Sequence, residues 1–352
     1  MEFVELLFVS VGVSVVLFYG FKLLRLVKMV FPKTWYPLPK SFFSSMGQWA
    51  VITGASDGIG KAYALELAKH GMNLVIISRT QRKLEKAARE IGARTGKQVK
   101  VITADFTKDD IYEHIEENLR GLEVGVLGML VLDTFSHTET PPLRNKLIPE
   151  CHASAVNNVG MLLCRQPRRF LDIEHLDQKI PDLINCNVKA LMKMCRIILP
   201  AMVKRKKGLI LNVSSGVACS PWPMYSLYTA SKVFVQRFSR CLQAEYKANG
   251  IIIQAVTPFG ISTSMTGYQD PNIITFTAED FVRTSLQYVT AGDQTYGSVS
   301  HQLLGSTIQN IPKSILHSDV LLNSMVEYVN KKISIQEQRM NAPKHQNLQN
   351  ET

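Results

Sequence analysis

From residue 48 onward, short runs rich in valine and isoleucine alternate with stretches of helical periodicity. No other feature of the chain restricts its fold as much. The runs QWAVIT (48–53), NLVIIS (73–78), QVKVIT (98–103), GLILNVS (208–214) and IIIQAV (251–256) lack polar alternation. Strands of that kind are covered on both faces, as parallel strands are. Helical segments occupy 58–70, 80–94, 108–119 and 225–248. The series is βαβ, and it predicts an α/β fold built on a doubly wound parallel sheet. Residues 279–332 read as mostly helical with apolar faces, and the polar tail from Ser334 is expected to be disordered.

One stretch interrupts the series. Between Gly125 and Gly160 lie two apolar runs, Val126–Leu132 and Ala153–Val159, separated by Pro141-Pro142 and a polar tract. Only one of them belongs to the sheet, because a long structureless insert is uncommon inside a compact domain. The preferred expectation puts Ala153–Val156 in the strand, leading directly into Asn157-Asn158, with 125–152 looped out. In the alternative, Val126–Leu132 takes the strand and displaces the two asparagines.

The N-terminus carries a second constraint. Leu6 to Phe21 is uncharged, and as a helix it spans about 24 Å. Extension to Leu24, with the Lys22 stem snorkelling, brings it near the ~30 Å of a bilayer core. Glu2 and Glu5 precede the run and Lys22, Arg25, Lys28 and Lys33 follow it. That order fits an uncleaved membrane-anchor helix better than a signal peptide, with the main domain on the cytosolic side. The net charge is +11, yet no basic block interleaved with aromatics appears, so nucleic acid is not an expected partner. Lys204–Lys207 reads as a helix C-terminus instead. Six cysteines show neither CxxC pairing nor metal-ligand spacing, as suits reduced thiols; no metal site is expected.

Two motifs carry chemistry. Thr53–Gly60, TGASDGIG, joins the first strand to the first helix. Glycines there permit a sharp turn and close approach of a pyrophosphate to the helix N-terminus. Arg79 ends the second strand, where an acidic residue would bind a ribose hydroxyl and an arginine suits the 2′-phosphate of NADP. Asp105 ends the third strand, as a helix cap or an adenine contact. Further on, Tyr228 and Lys232 are four residues apart and share a helix face. A phenol near pKa 10 is a weak acid at neutral pH, and a neighbouring ammonium is expected to lower it. Tyr228 is then a general acid for a carbonyl oxygen. Ser215, in preference to Ser214, sits at a strand end to orient that carbonyl. Asn187 lies mid-helix, where asparagine is unfavourable, and is read as holding a water next to Lys232. The sequon Asn212-Val213-Ser214 falls in a buried strand and is discounted.

The ordered set TGxxxGxG (Thr53–Gly60), NNxG (Asn157–Gly160), Asn187, Ser215 and YxxxK (Tyr228, Lys232) resembles the short-chain dehydrogenase/reductase family over about 48–305. The stretches at 40–80, 104–115 and 257–266 are similar to its membrane-anchored microsomal members. The resemblance implies NADPH-dependent reduction of a 17-ketosteroid to the 17-beta-hydroxysteroid, as androstenedione to testosterone, at the endoplasmic reticulum. Two alternatives stand beside it: a very-long-chain 3-oxoacyl-CoA reductase, and an inactive isoform acting as a membrane-bound interaction protein. Gly54, Gly58 and Gly60 would line the pyrophosphate, with Ser56, Asp57, Ile59 and Thr263 also at the cofactor. Arg79 would hold the 2′-phosphate, Asp105 the adenine and Asn158 a ribose. Tyr228 would be the acid, Lys232 its tuner and a ribose ligand, Ser215 the carbonyl positioner and Asn187 the relay; Ser215 and Tyr228 would also touch substrate. A homodimer is compatible with this resemblance. The implied organisation is anchor (1–30), linker (31–47), catalytic domain (48–305, with an insertion at 128–155), apolar helical segment (306–333) and polar tail (334–352). One departure is Phe259, where the family usually has glycine.

Overall fold

Seven parallel strands form the central sheet, and every one of its helical crossovers returns the chain to the same strand direction. The computed structural model describes residues 2–129, 162–164 and 166–341. The strands are β1 (Trp49–Thr53), β2 (Asn73–Ser78), β3 (Val99–Thr103), β4 (Val124–Met129), β5 (Gly208–Val213) and β6 (Ile251–Val256). A two-residue pair, β7 (Ile261–Ser262) with β8 (Phe276–Thr277), lies apart, and β9 (Gln294–Thr295) closes the large sheet. The order is β3-β2-β1-β4-β5-β6-β9, the doubly wound arrangement expected from the Val/Ile runs. The short β9 has no sequence signal of its own and pairs with β6 through only Ala255 and Val256.

Twelve α-helices surround or extend this sheet among the described residues: α1 (Glu2–Val30), α2 (Pro32–Trp35), α3 (Gly58–Lys69), α4 (Gln81–Thr95), α5 (Tyr112–Leu119), α6 (Leu176–Ile184), α7 (Ala190–Arg205), α8 (Ser226–Tyr246), α9 (Ala278–Ser285), α10 (Val299–Asn310), α11 (Lys313–Leu316) and α12 (Asp319–Asn341). Alternation along β1 divides the core. Ala50 and Ile52 pack with α3, α4 and α9, whereas Val51 packs with α5, α7 and α8. Such burial, at about 25 cal/mol per Å² of apolar area, is the main force holding the layers together.

The interrupted stretch departs from its preferred expectation. Val124–Met129 is the strand, between β1 and β5, and all six residues are buried. Its register runs Val126 to Leu209, Leu127 to Ile210, Gly128 to Leu211 and Met129 to Asn212. Gly128 and Met129 thus belong to the sheet and not to an insertion. The physical reason is apolar area, since valine, leucine and methionine remove more of it from water than the alanines of 153–155 do. Residues 130–161, including Asn157, Asn158 and Gly160, lie outside the described residues.

Gly125 explains how the chain enters this strand. The β1–β4 register slips between Trp49 and Ala50, leaving Gly125 as the extra residue of a bulge. The backbone at Gly47 crosses directly over it. A Cβ on Gly125 would sit 2.3 Å from the Gly47 nitrogen and 2.4 Å from the Met46 carbonyl carbon. Backbone cannot yield as a side chain can, so Gly125→Ala is expected to destabilise the fold by about 1–3 kcal/mol, as overpacking does. A thermal melt of the variant beside the parent checks this, and an unchanged midpoint would contradict it.

The N-terminal helix is long and apolar enough to cross a membrane. Phe3–Val30 comprises 28 residues and contains an 18-residue window of mean hydropathy 2.1, none of which is buried against protein. At about 1.5 Å per residue the helix is about 42 Å long, beyond the ~30 Å of a bilayer core. Its end is fixed to the catalytic domain, because the hydroxyl of buried Tyr288 donates to the Met29 carbonyl at 2.6 Å. The following segment is largely exposed as far as Lys40, but Phe43 and Met46 are buried in the core. At the other end, α12 continues through the first part of the tail expected to be disordered. Gln, Glu, Arg and Met there are good helix formers, and extending an existing helix avoids a new nucleation cost.

Candidate active site

Two close turns build one end of the site. Gly54 and Gly58 both have positive φ, 62° and 55°, which glycine adopts without strain. Gly60 has helical backbone, but a Cβ on it would lie 2.2 Å from the Gly54 carbonyl oxygen. Helix α3 is therefore pressed against the turn that follows β1, with its N-terminus facing the carboxyl ends of the strands. Asp57 caps that helix, its Oδ1 accepting from the Gly58 N–H at 2.7 Å. The other carboxylate oxygen accepts from Ser264 Oγ at 2.9 Å and Tyr268 OH at 3.0 Å. These two bonds fasten the loop after β7 across the glycine turn. Ser56 Oγ lies 3.3 Å from Ser78 Oγ, linking the turn to the end of β2, where half-buried Arg79 follows. Asp105 caps the segment after β3, accepting from both the Thr107 N–H (3.0 Å) and Thr107 Oγ1 (2.8 Å). This set, with turned glycines, a helix N-terminus and a cation at the second strand end, fits a nicotinamide dinucleotide.

Helix α8 supplies the reacting end. Tyr228 and Lys232 fall on one face, and Lys232 Nζ lies 5.7 Å from the Tyr228 ring centroid. Lys232 is 2% exposed and its ammonium donates to the Val213 carbonyl at 3.4 Å. Burial holds that ammonium down to about 8. The expected effect of Lys232 on Tyr228 is not what the geometry gives. Burial pushes the Tyr228 phenol up to about 12, and the opposing influence is a hydrogen bond with the Ser215 side chain. The cation sits over the ring and bonds to a carbonyl, and burial outweighs its pull on the phenol. Ser215 and Ser214 separate cleanly. Both line the inner cavity, but Ser215 starts the short turn Gly216–Cys219, whereas Ser214 Oγ is committed to the Lys232 carbonyl, to which it donates.

Asn187 is not in a regular helix. It lies in a π-helical turn, Asn185–Lys189, between α6 and α7. Such turns push a backbone bulge inward and recur at functional sites. Its amide donates to Ser231 Oγ at 2.9 Å, and Ser231 Oγ donates to the Tyr228 carbonyl at 2.7 Å. Asn187 thus reaches the residue preceding Lys232. Asn212, of the discounted sequon, is fully buried and donates to Ser239 Oγ.

These groups border a cavity of about 200 Å³, lined by Ile59, Ser215, Tyr228, Phe259, Thr263 and Met265 among others. A larger space of about 530 Å³ adjoins it, and the two share Leu162, Tyr225, Met265 and Thr266. The expected residues Ile59, Ser215, Tyr228 and Thr263 are brought to the inner cavity. Gly54, Asp57, Gly58 and Gly60 form the turn beside it, with Arg79 and Asp105 at neighbouring strand ends. Asn158 lies outside the described residues.

Sequence reasoning missed His301, a fully buried residue of α10. Its Nδ1 accepts from the Phe259 N–H at 3.3 Å, so Nε2 carries the proton and donates to the Ile274 carbonyl at 2.7 Å. Burial holds its pKa below the usual range, consistent with a neutral ring. Phe259 stacks on Tyr296 and meets His301 edge-on, so the residue that departs from the family glycine is locked in place. His301→Leu orphans two backbone groups and is expected to cost about 1–3 kcal/mol for each left buried. His301→Gln, able to donate and accept, recovers much of the loss in a denaturant titration. Only the Phe259 departure hinted at this cluster in the sequence.

Comparison with known proteins agrees with this geometry. The short chain dehydrogenase family matches residues 48–132 and 154–273, leaving 133–153 between the two matched pieces. The chain belongs to the short-chain dehydrogenase/reductase family and is an oxidoreductase of that class. It is 52% identical to a 17-beta-hydroxysteroid dehydrogenase type 3 of Danio rerio, over 94% of this chain and 98% of that protein. A human very-long-chain 3-oxoacyl-CoA reductase is 38% identical, over 79% of this chain and 80% of the relative. Among solved structures, a short-chain dehydrogenase from Sphingobium yanoikuyae in complex with NADPH superposes with a TM-score of 0.57 at 25% identity, covering 76% of this chain and 97% of that one.

Proposed function

We propose that this chain is an NADPH-dependent 17-ketosteroid reductase, converting a substrate such as androstenedione to the 17-beta-hydroxysteroid. The observation that carries the reading is the 52% identity, end to end, with a 17-beta-hydroxysteroid dehydrogenase type 3. Gly54, Gly58, Gly60 and the α3 N-terminus hold the diphosphate, Arg79 the 2′-phosphate, and Lys232 the nicotinamide ribose. Ser56, Asp57, Ile59, Asp105, Asn158 and Thr263 complete that binding surface. Bound NADPH supplies the hydride. The Tyr228 hydroxyl gives its proton to the carbonyl oxygen, and Ser215 Oγ holds that oxygen in register. A phenol with its pKa near 12 stays protonated at neutral pH, which suits a donor. Asn187, through Ser231, fixes the stretch of α8 that carries both groups. The apolar N-terminal helix anchors the protein in the endoplasmic reticulum membrane. Lys22, Lys28 and Lys33 beyond the apolar run favour a cytosolic catalytic domain.

The second reading, a very-long-chain 3-oxoacyl-CoA reductase, is supported by the 38% identical relative. Steady-state kinetics of the full chain in vesicles separates the two. The proposal expects kcat/KM for androstenedione to exceed that for a 3-oxoacyl-CoA by at least about tenfold. The reverse order would transfer the assignment to the acyl substrate.

A further inference from the structure

The inner cavity, at about 200 Å³, is smaller than the ~300–1,000 Å³ of ordinary ligand sites, so a substrate whose carbonyl reaches Tyr228 must extend beyond it. The adjoining 530 Å³ space shares walls with it and offers a continuation. Its far side is helix α12. Tyr328, Val329, Lys332 and Ile333 fall on one stripe of that helix and all face the space. Val329 and Ile333 give it an apolar wall. Lys332 Nζ lies 4.8 Å from the Tyr328 ring centroid and donates to Gln269 Oε1 at 3.1 Å, joining the helix to the loop after β7. Neither Lys332 nor Gln269 lines the inner cavity, so both lie past the shared junction.

We propose that Lys332 and Gln269 form the distal subsite, which takes an oxygen acceptor at the end of the substrate remote from the carbonyl being reduced. An ammonium has three donors and Gln269 engages one of them here. The amide of Gln269 adds donors of its own. The charge of the space also selects among substrates. Among the described lining residues, Lys332 and Asp270 are the charged pair, one of each sign. A balanced pair suits a neutral oxygen and disfavours a polyanionic group such as that of coenzyme A. The substrate is then a rigid apolar ketone with a second oxygen at its far end. This subsite rests on the ketosteroid reading and refines it.

The test uses the full-length protein and two 17-ketosteroids, androstenedione and an analogue lacking the oxygen at carbon 3. Lys332→Met removes the donors but keeps chain length and helix preference. It is expected to raise KM for androstenedione about tenfold, to leave kcat within about twofold, and to leave the analogue's kinetics unchanged. Lys332→Arg, which keeps donors at that position, restores KM to within a few-fold of the parent. Equal KM shifts for both steroids would make Lys332 merely structural, and no shift for either would remove it from the site. A parent protein that reduces neither steroid overturns the ketosteroid reading, and the subsite falls with it.

Discussion

Tyr228→Phe lowers turnover by about 10²- to 10⁴-fold, the range expected on removing a general acid, while NADPH affinity stays within about twofold. The substitution deletes one oxygen and keeps the ring that Lys232 overlies. Helix α8 keeps its internal tie, because Ser231 bonds to the Tyr228 main-chain carbonyl and not to the phenol. The Lys232 ammonium keeps its bond to the Val213 carbonyl. The lost group is therefore the proton held above neutral pH by burial, together with its hydrogen bond to Ser215. Single-turnover reduction and a fluorescence titration with NADPH read the two effects separately. Unchanged turnover would remove Tyr228 from the chemistry. A parallel loss of cofactor binding would make its role structural.

Arg79→Gln weakens NADPH by about 10- to 100-fold and NADH by no more than about twofold. A hydrogen bond to a charged group is worth about 1.5–3 kcal/mol, and only the phosphorylated ribose makes this one. Arg79 lies at the end of β2, beside Ser78, whose hydroxyl faces Ser56 of the glycine turn. That position is where the adenosine ribose of a dinucleotide falls in a doubly wound sheet. Glutamine keeps an amide donor but is shorter and uncharged, and the change lies at the adenosine end, so the nicotinamide end is untouched. Comparison of Kd for the two cofactors on parent and variant is the check. Equal weakening of both would assign Arg79 to the scaffold.

The strands were legible because Val/Ile runs without polar alternation have few other uses in a soluble domain, and β1, β2, β3, β5 and β6 fall where those runs stand. The helices between them followed from the same alternation. The interrupted strand was misjudged because its motif neighbour, Asn157-Asn158, drew the strand toward Ala153–Val156. Burial of larger side chains decided for Val124–Met129 instead. At the site, groups close in sequence were readable, such as Tyr228 with Lys232 and the glycine turn. Partners far apart in the chain were not. Asp57 meets Tyr268, His301 meets Phe259, and Lys332 meets Gln269 only after the sheet and its loops are assembled. The raised phenol pKa was likewise out of reach, since burial is a tertiary property.

The account stands on a cofactor site formed by the glycine turn after β1, Arg79 and α8. Titration of the full-length protein with NADPH, in detergent or vesicles, followed by addition of androstenedione, tests that most directly. The account predicts saturable NADPH binding and then oxidation of the bound cofactor with formation of one testosterone per turnover. Absence of saturable binding in a folded preparation would contradict it and leave the chain without this activity.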